Sequence, residues 1–326
     1  MVNDILKHFK PRRYPVRDGL MPDGKPPGMR WKNLFLLLGV FVGLHVAGIV
    51  ALFSASPEFG MRLVQSASID WTLGEPVPVA TPSGAVMTWT TGLEDGDHVV
   101  LVHGFGDAGA GWVRVAQNLA TTHRVTILDL PGHGRSDLGS GPLTMDRLVA
   151  GLDAVLSGID QQITLAGNSM GGWVAAEWAL AHPGRVRRLV LVNSAGLPQA
   201  IDPELLMPTT REGVEAKNRI VMGSHAPWLP GLLLDGLMAM GQAPQLRPLF
   251  DHLTNEAPKL TGRLRGLQAQ LRLVWGTPDA FFPYESYLPR VQAEAPKDTP
   301  TRVLAGCGHA PQYSCPKLVA HSIREP

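Results

Sequence analysis

The feature that most constrains the fold is a hexapeptide near the middle of the chain, Gly167-Asn168-Ser169-Met170-Gly171-Gly172. An apolar run of strand type, 163–166, precedes it, and a segment typical of a helix, 173–180, follows it. A serine between two glycines at a strand-to-helix junction is typical of a nucleophile elbow, a sharp turn that exposes the serine hydroxyl at the edge of a sheet. The pattern predicts that Ser169 is a nucleophile. The alternative is a glycine-rich turn that only packs a helix against a strand.

Apolar segments of strand type recur along the rest of the chain and alternate with segments of helix type. Two of them, 77–80 and 85–90, are separated by a short turn and predict an antiparallel hairpin. Further strands are predicted at 98–102, 124–128, 162–166, 188–192, 271–275 and 301–304. Apolar strands that alternate with helices indicate an α/β fold, with a mostly parallel sheet and helices on both faces.

One long stretch, from about 197 to 260, interrupts this alternation. It has no convincing strand pattern, contains several prolines and includes an apolar run rich in Leu and Met over 228–240. Because it lies between two predicted core strands, we expect a helical cap inserted over the carboxyl ends of the strands. Ordinary core helices are the alternative. The Met- and Leu-rich content indicates an adaptable apolar surface.

Two later strands end in residues that could activate Ser169. A serine hydroxyl needs a base to accept its proton, and the base needs an acid to orient it. Asp279 follows the strand 271–275, and His309 follows the strand 301–304 in a glycine-rich turn. The order serine, acid, histidine along the chain predicts Ser169 as nucleophile, Asp279 as acid and His309 as base. A structural role is the alternative for a single histidine.

Two backbone N–H groups are predicted to stabilise the oxyanion that such a reaction forms. One belongs to Met170, directly after the nucleophile, and the other to Phe105 in the loop after strand 98–102. Three nearby polar residues are predicted to be structural: His103, Asp129 and His133. We predict no metal and no cofactor, because no Cys/His spacing is typical of zinc and no glycine-rich loop is typical of phosphate binding.

Both cysteines of the chain, Cys307 and Cys315, flank His309. In an oxidising compartment a disulfide could form between them and fix the loop 305–311 that carries His309, here called the histidine loop. Two isolated thiols are the alternative, and that is the one we expect.

The N-terminal segment differs from the rest of the chain. Residues 1–32 contain eight Lys or Arg and three Asp, although the net charge of the whole chain is only +1, which gives no case for a nucleic-acid partner. Residues 34–53 are apolar apart from His45, and twenty such residues are about the length of a helix that crosses a bilayer. A cleaved signal peptide and a buried core helix are the alternatives.

These patterns predict four regions. Residues 1–32 form a basic cytoplasmic tail, 33–54 a transmembrane signal anchor, 55–68 a connector, and 69–326 the globular domain with its cap. The basic residues before the apolar segment place the N-terminus in the cytoplasm and the globular domain on the exoplasmic side, which is periplasmic if the source is bacterial.

From about Ile69 onward the chain resembles the α/β-hydrolase superfamily. Five motifs carry the resemblance, in order along the chain: His103-Gly104-Phe105-Gly106, Asp129-Leu130-Pro131-Gly132-His133-Gly134-Arg135-Ser136, Gly167-Asn168-Ser169-Met170-Gly171-Gly172, Trp275-Gly276-Thr277-Pro278-Asp279 and Gly306-Cys307-Gly308-His309. The resemblance implies the α/β-hydrolase fold and a hydrolase activity.

Within that superfamily, the predicted anchor, the segment 193–197 and Cys307-Gly308-His309 are similar to the monoacylglycerol-lipase-like and membrane-anchored bacterial lipases. The loop 105–112 and the elbow are also similar to the meta-cleavage-product hydrolases, which break carbon–carbon bonds. Those enzymes usually carry an aromatic residue after the histidine, where this chain has Ala310.

The function expected from the sequence is hydrolysis of lipid-like or small carboxylic esters by a membrane-anchored serine hydrolase, with the bilayer contacted through residues 34–53. One alternative is a carbon–carbon hydrolase. Another is a non-catalytic, membrane-tethered accessory protein that keeps the fold.

Overall fold

The computed structural model describes residues 31–325, so almost all of the predicted basic tail over 1–32 lies outside the described residues. The chain divides into two units, one that ends at Val50 and one that begins at Ala51.

The first described element is a long helix, α1, over Trp31–Ala55. It includes the whole segment 34–53, and large apolar side chains along it are exposed, Phe41 and Leu44 among them, whereas Phe53 near its end is buried. A helix at this place agrees with the sequence prediction. Among the helices that the structure describes, however, none combines the length and apolarity needed to cross a membrane, so the transmembrane assignment is not supported there.

The second unit contains one eight-stranded sheet. Its strands are β1 (Val77–Thr81), β2 (Gly84–Gly92), β3 (Asp97–Val102), β4 (His123–Leu128), β5 (Ile163–Asn168), β6 (Val186–Val192), β7 (Gln270–Thr277) and β8 (Thr301–Ala305). They lie in the order β1-β2-β4-β3-β5-β6-β7-β8. The pairs β1–β2 and β2–β4 are antiparallel, and all other pairs are parallel. All the predicted strands and the predicted hairpin are present.

Eleven further helices are described in this part of the chain. They are α2 (Pro57–Leu73), α3 (Val113–Leu119), α4 (Met145–Leu156), α5 (Met170–Ala181), α6 (Pro203–Leu206), α7 (Arg211–Met222), α8 (Gly231–Gly241), α9 (Leu246–Asn255), α10 (Leu288–Glu294), α11 (Pro311–Ser314) and α12 (Pro316–Arg324). The segment α6–α9 contains no strand, as predicted for the cap over 197–260.

Two apolar cores lie on opposite faces of the sheet, because successive side chains of a strand point to opposite sides. Along β3, Val100 and Val102 pack in the core that contains α4 and α5, whereas Val99 and Leu101 pack in the core that contains α3 and α12. Since β3 is buried on both faces, it reads as a continuous apolar run rather than an alternating one. The helices on both faces confirm the predicted α/β architecture.

Helix α2 occupies most of the segment 55–68 that sequence analysis described as a connector. Only Gly60, Met61 and Ile69 of this helix are buried, so its sequence carries a weak amphipathic signal and gave no helix prediction. Polar contacts attach it to the rest of the unit. The Arg135 guanidinium donates to both carboxylate oxygens of Asp70 at 2.9 and 2.7 Å, and Trp89 Nε1 donates to the same carboxylate at 3.3 Å.

These contacts predict that Asp70→Ala lowers the free energy of unfolding by about 1–2 kcal/mol, since two donors lose a charged acceptor. Glu75→Ala is the matched control, because the Glu75 carboxylate lies 3.6 Å from the same guanidinium but is largely exposed. It should change stability by less than about 0.5 kcal/mol. Urea unfolding of both variants measures this. Equal stability of the two variants would contradict the attachment of α2 through Asp70.

Candidate active site

The sharp turn around Ser169 has the geometry of a nucleophile elbow. β5 ends at Asn168 and α5 begins at Met170, so Ser169 alone joins strand to helix. Its φ of 55° lies in the left-handed region, which L-residues rarely adopt. A Cβ on Gly167 would lie 2.3 Å from the Gly171 carbonyl oxygen, and one on Gly171 would lie 2.2 Å from that of His103. Both positions therefore require glycine.

The structure brings His309 and Asp279 into contact. His309 Nδ1 lies 2.8 Å from Asp279 Oδ2, and both side chains are buried. Because a carboxylate accepts hydrogen bonds, Nδ1 carries the proton and leaves Nε2 free to accept one. The other Asp279 oxygen accepts from the backbone N–H groups of Phe281 at 2.8 Å and Phe282 at 3.1 Å. These donors stabilise the ionised carboxylate.

Asn193 also holds Asp279, and sequence analysis missed it. Asn193 Nδ2 donates to Asp279 Oδ2 at 2.8 Å and to the Gly276 carbonyl oxygen at 2.9 Å, and Gly276 N donates to Asn193 Oδ1 at 2.7 Å. Its φ of 41° is a second left-handed conformation at the carboxyl edge of the sheet. The available signal was its position directly after a predicted strand, beside the strand that leads to Asp279.

Asn168, a residue of the elbow itself, fixes the backbone of the histidine loop. Its Nδ2 donates to the His309 carbonyl oxygen at 3.0 Å, and its Oδ1 accepts from Gln312 Nε2 at 3.0 Å. Gln312 is fully buried, so this contact is protected from water. The elbow and the histidine loop are therefore held together by direct hydrogen bonds.

The cap contacts the same loop from its other side. The backbone N–H groups of His309 and Ala310 donate to the carbonyl oxygens of Ile220 at 2.8 Å and Val221 at 3.0 Å, both near the end of α7. A Cβ on Gly223 would lie 2.4 Å from the Gly306 carbonyl oxygen, so the two segments approach closely. The cap helix α7 is thus fixed to the backbone of His309.

Ser169 and His309 line one cavity of about 340 Å³. Its lining is mostly apolar, with contributions from α2 and the cap: Met61, Leu206, Val214, Met222, Leu237 and Met240. Asp107, Lys217 and Tyr313 add polar groups. No hydrogen bond joins the Ser169 hydroxyl to His309 within residues 31–325. Such contacts are often loose in a site without substrate and tighten in the complex.

The two predicted oxyanion donors lie beside this cavity. Phe105 lines it, and Met170 is the first residue of α5. Neither backbone N–H donates to a protein acceptor in the described part of the chain. A Cβ on Gly104 would lie 3.2 Å from Ser169 Cβ, so the loop that carries Phe105 approaches the serine closely. Both N–H groups are therefore free to bind an oxygen.

Buried polar contacts support the Phe105 loop. His103 Nε2 accepts from Leu130 N at 2.9 Å, so its Nδ1 donates to the Gly104 carbonyl oxygen at 2.8 Å. Asp129 accepts from Gly109 N at 2.6 Å and from Arg135 N at 2.8 Å. These contacts are structural, as the sequence predicts for His103 and Asp129.

The expectation of free thiols is wrong. Cys307 and Cys315 form a disulfide, with their Cα atoms 5.8 Å apart. The reason is the short helix α11, a single turn that returns the chain towards Cys307. Sequence analysis did not predict this turn, so the spacing of eight residues gave no signal of proximity. The disulfide closes a loop that contains His309.

The comparisons with known proteins agree with this architecture. Residues 99–322 match the profile described as "Alpha/beta hydrolase family". The chain belongs to this family. The resemblance found from the sequence motifs is therefore confirmed.

Two curated relatives of this α/β hydrolase show the range of the family. A pimeloyl-(acyl-carrier protein) methyl ester esterase from Cronobacter sakazakii is 31% identical over 70% of this chain and 92% of its own length. A 2-hydroxy-6-oxononadienedioate/2-hydroxy-6-oxononatrienedioate hydrolase from Cupriavidus pinatubonensis is 30% identical over 66% and 81%. The chain also matches 41% of the length of the dihydrolipoyllysine-residue acetyltransferase component of an acetoin cleaving system from Pseudomonas putida, at 37% identity over 46% of this chain.

Among solved structures, the hydrolase is similar to a bacterial protein described as a membrane phospholipase A and a virulence factor. The TM-score is 0.70 at 25% identity, and the alignment covers 89% of this chain and 96% of the other.

Buried histidines predict that the stability of the fold depends on pH. Burial lowers the pKa of His98 and His103 to about 4 and that of His133 to about 3. As the pH falls from about 6.5 to 4, the unfolded chain binds protons at these histidines that the folded chain does not. Each such proton costs about 1.4 kcal/mol of stability per pH unit. Two buried carboxyl groups oppose this, each with one proton that the folded chain binds more tightly, because burial raises the pKa of Asp129 to about 6 and also raises that of Asp107.

We therefore expect the melting temperature to fall steadily between pH 6.5 and 4.5, as measured by circular dichroism. In His98→Gln the slope should be smaller by about the contribution of one proton. An equal melting temperature at pH 6.5 and 4.5 would contradict burial of neutral histidines.

Proposed function

We propose that this hydrolase cleaves carboxylic esters, with Ser169 as nucleophile, His309 as base and Asp279 as the acid that orients it. The observation that carries the proposal is the buried Asp279–His309 hydrogen bond beside an apolar cavity that Ser169 and His309 share. The elbow presents the serine hydroxyl to this cavity, and the free Nε2 of His309 is the nitrogen that accepts its proton.

The reaction has two halves. Ser169 Oγ attacks the ester carbonyl carbon while its proton passes to His309 Nε2, and the N–H groups of Phe105 and Met170 bind the resulting oxyanion. The bond to the alcohol oxygen then breaks, and His309 gives its proton to the leaving alcohol. In the second half, water gives a proton to His309 and attacks the acyl-enzyme carbonyl. The bond to Ser169 Oγ then breaks, the acid leaves, and His309 returns the proton to Ser169. Asp279 stabilises the imidazolium in both halves.

The apolar lining of the cavity favours a substrate whose acyl group is apolar and lies beside Ser169. Its lining from the cap and α2 is rich in Leu and Met, which adapt their shape to an acyl chain. The Cronobacter relative is described as a methyl ester esterase, and the similar solved structure as a phospholipase A. The first description names an ester bond, which favours ester hydrolysis for this chain.

Carbon–carbon hydrolysis is the second candidate. The Cupriavidus relative, at 30% identity, supports it. Ala310 after the histidine, in place of the aromatic residue usual in meta-cleavage-product hydrolases, argues against it. A vinylogous dienone acid tests this candidate beside the esters, since faster turnover of that acid would favour carbon–carbon cleavage.

We expect a fluorophosphonate probe to label the wild-type protein and not Ser169→Ala. Ser224→Ala is the matched control, because Ser224 contacts the histidine loop at Gly306 but lies outside the cavity. The labelling of this variant should equal that of the wild type.

Asp279→Asn should lower kcat on 4-nitrophenyl butyrate by about 10³- to 10⁴-fold through loss of the correct imidazole tautomer. A folded wild-type protein that neither reacts with the probe nor hydrolyses esters would favour the accessory-protein alternative.

We further propose that the hydrolase attaches to a membrane through residues 34–53, with its second unit on the exoplasmic side. Exposed apolar side chains along α1 and the eight Lys or Arg among residues 1–32 support attachment and orientation. The disulfide supports an oxidising compartment. The word "membrane" in the description of the similar solved structure is consistent with this proposal.

The membrane proposal predicts that the full-length protein sediments with membranes after a carbonate wash. A double substitution, Leu44→Arg with Val46→Arg, should release it, because each buried arginine costs about 2.5–3.5 kcal/mol in a bilayer. Leu93→Arg is the control and should leave sedimentation unchanged, because Leu93 is an exposed apolar residue of the turn between β2 and β3. Release of the wild-type protein by carbonate would contradict attachment through this segment.

A further inference from the structure

Lys217 places a positive charge in the cavity, and the proposed reaction does not use it. Among the described residues that line the cavity, Lys217 is the one Lys or Arg, and most of its neighbours there are apolar. Burial lowers the pKa of Lys217 to about 8, so the ammonium group is still protonated at neutral pH. A positive charge in an apolar cavity costs free energy unless it contacts a negatively charged oxygen.

The position of Lys217 is fixed relative to His309. Lys217 lies on α7 about one helical turn before Ile220 and Val221, whose carbonyl oxygens accept from the N–H groups of His309 and Ala310. A ligand group held by Lys217 is therefore held at a constant place relative to the proposed base. This arrangement is the one that a specificity determinant needs, because small displacements of a reacting group are costly in rate.

The contacts of Lys217 leave it able to bind a ligand. Its Nζ donates to the Leu206 carbonyl oxygen at 2.7 Å, and an ammonium group has three donors. The nearest acid in the cavity, Asp107, accepts instead from the Tyr313 hydroxyl at 2.5 Å, and no ion pair joins Asp107 to Lys217 within residues 31–325. Burial raises the pKa of Asp107, and the hydrogen bond from Tyr313 and the positive charge of Lys217 oppose that shift.

We propose that Lys217 is a specificity-determining residue that binds an anionic oxygen of the ester substrate. The oxygen belongs either to a carboxylate at the far end of the acyl chain or to a phosphate on the alcohol side, and both offer the same charged acceptor to the ammonium group. This proposal rests on the proposed ester hydrolysis and names the substrate class for the same cavity.

Two pairs of esters test the proposal on full-length protein in neutral detergent micelles. Monomethyl suberate and dimethyl suberate differ by a carboxylate on the acyl side. A lysophosphatidylglycerol and the monoacylglycerol with the same acyl chain differ by a phosphate on the alcohol side. The variants are Lys217→Met, which keeps an apolar stem, and Lys217→Arg, which keeps the charge. The matched control is Arg219→Met, on the same helix but largely exposed.

We expect the wild type to prefer the anionic member of one pair. Lys217→Met should lower kcat/KM for that member by about 10- to 100-fold, the usual effect of losing a hydrogen bond to a charged group. The neutral member should change by less than about 3-fold, and Arg219→Met should behave as the wild type with both. Lys217→Arg should retain most of the preference. The pair that shows the effect identifies the source of the anionic oxygen.

Two results would overturn the proposal while ester hydrolysis stands. One is a wild-type protein that treats both members of each pair equally. The other is an equal loss for both members in Lys217→Met, which would show that the contact with Leu206 only holds the cap. If the wild type hydrolyses no ester, the proposed function fails separately. Titration calorimetry of the wild type and Lys217→Met with monomethyl suberate and with the lysophosphatidylglycerol then decides whether Lys217 binds an anionic oxygen, since equal affinities of the two proteins for each ligand would overturn it.

Discussion

The buried carboxylate of Asp279 is the interaction on which the arrangement of the site depends. An ionised carboxylate removed from water must be surrounded by donors, and here four come from three parts of the chain. Two are backbone N–H groups of its own loop, one is the Asn193 amide at the end of β6, and one is the His309 imidazole after β8. Satisfying this one charge therefore sets the relative positions of three loops at the carboxyl edge of the sheet.

Asn168 and α7 extend this set of contacts to the turn around Ser169 and to the cap. Asn168 links the turn that holds Ser169 to the backbone of His309, and α7 accepts the N–H groups of His309 and Ala310. The histidine is thus held through its side chain by the acid and through its backbone by the elbow and the cap. Elements far apart in sequence therefore meet at His309. The Phe281 and Phe282 rings, from the loop that carries Asp279, also pack around its imidazole.

Sequence reasoning found the elements whose signal is local. Ser169, Asp279 and His309 each follow an apolar strand, and parallel strands bring their carboxyl ends to one edge, so the strand pattern, the elbow motif and the order of the three residues together predicted one site. It missed Asn193, because an amide after a strand has no distinctive pattern until its partner across the sheet is known. It missed α2 because the helix buries few side chains and is attached by long-range polar contacts such as Asp70 with Arg135. The disulfide was missed for a similar reason, since the one-turn helix α11 is set by tertiary packing.

The two hydrogen bonds from the histidine loop to α7 limit how substrate can reach Ser169. If α7 swung away to admit a ligand, the N–H groups of His309 and Ala310 would lose their buried acceptors, and His309, the proposed base, would lose its alignment at the same time. A cap that opened by moving α7 would thus admit substrate only while His309 was misaligned, and would have to close again before any reaction. A ligand that entered beside Met61 and Gln65 of α2 would leave these contacts intact, because within residues 31–325 neither residue forms a hydrogen bond with the histidine loop. Substrate entry beside α2 would therefore keep His309 aligned, whereas entry by movement of α7 would not.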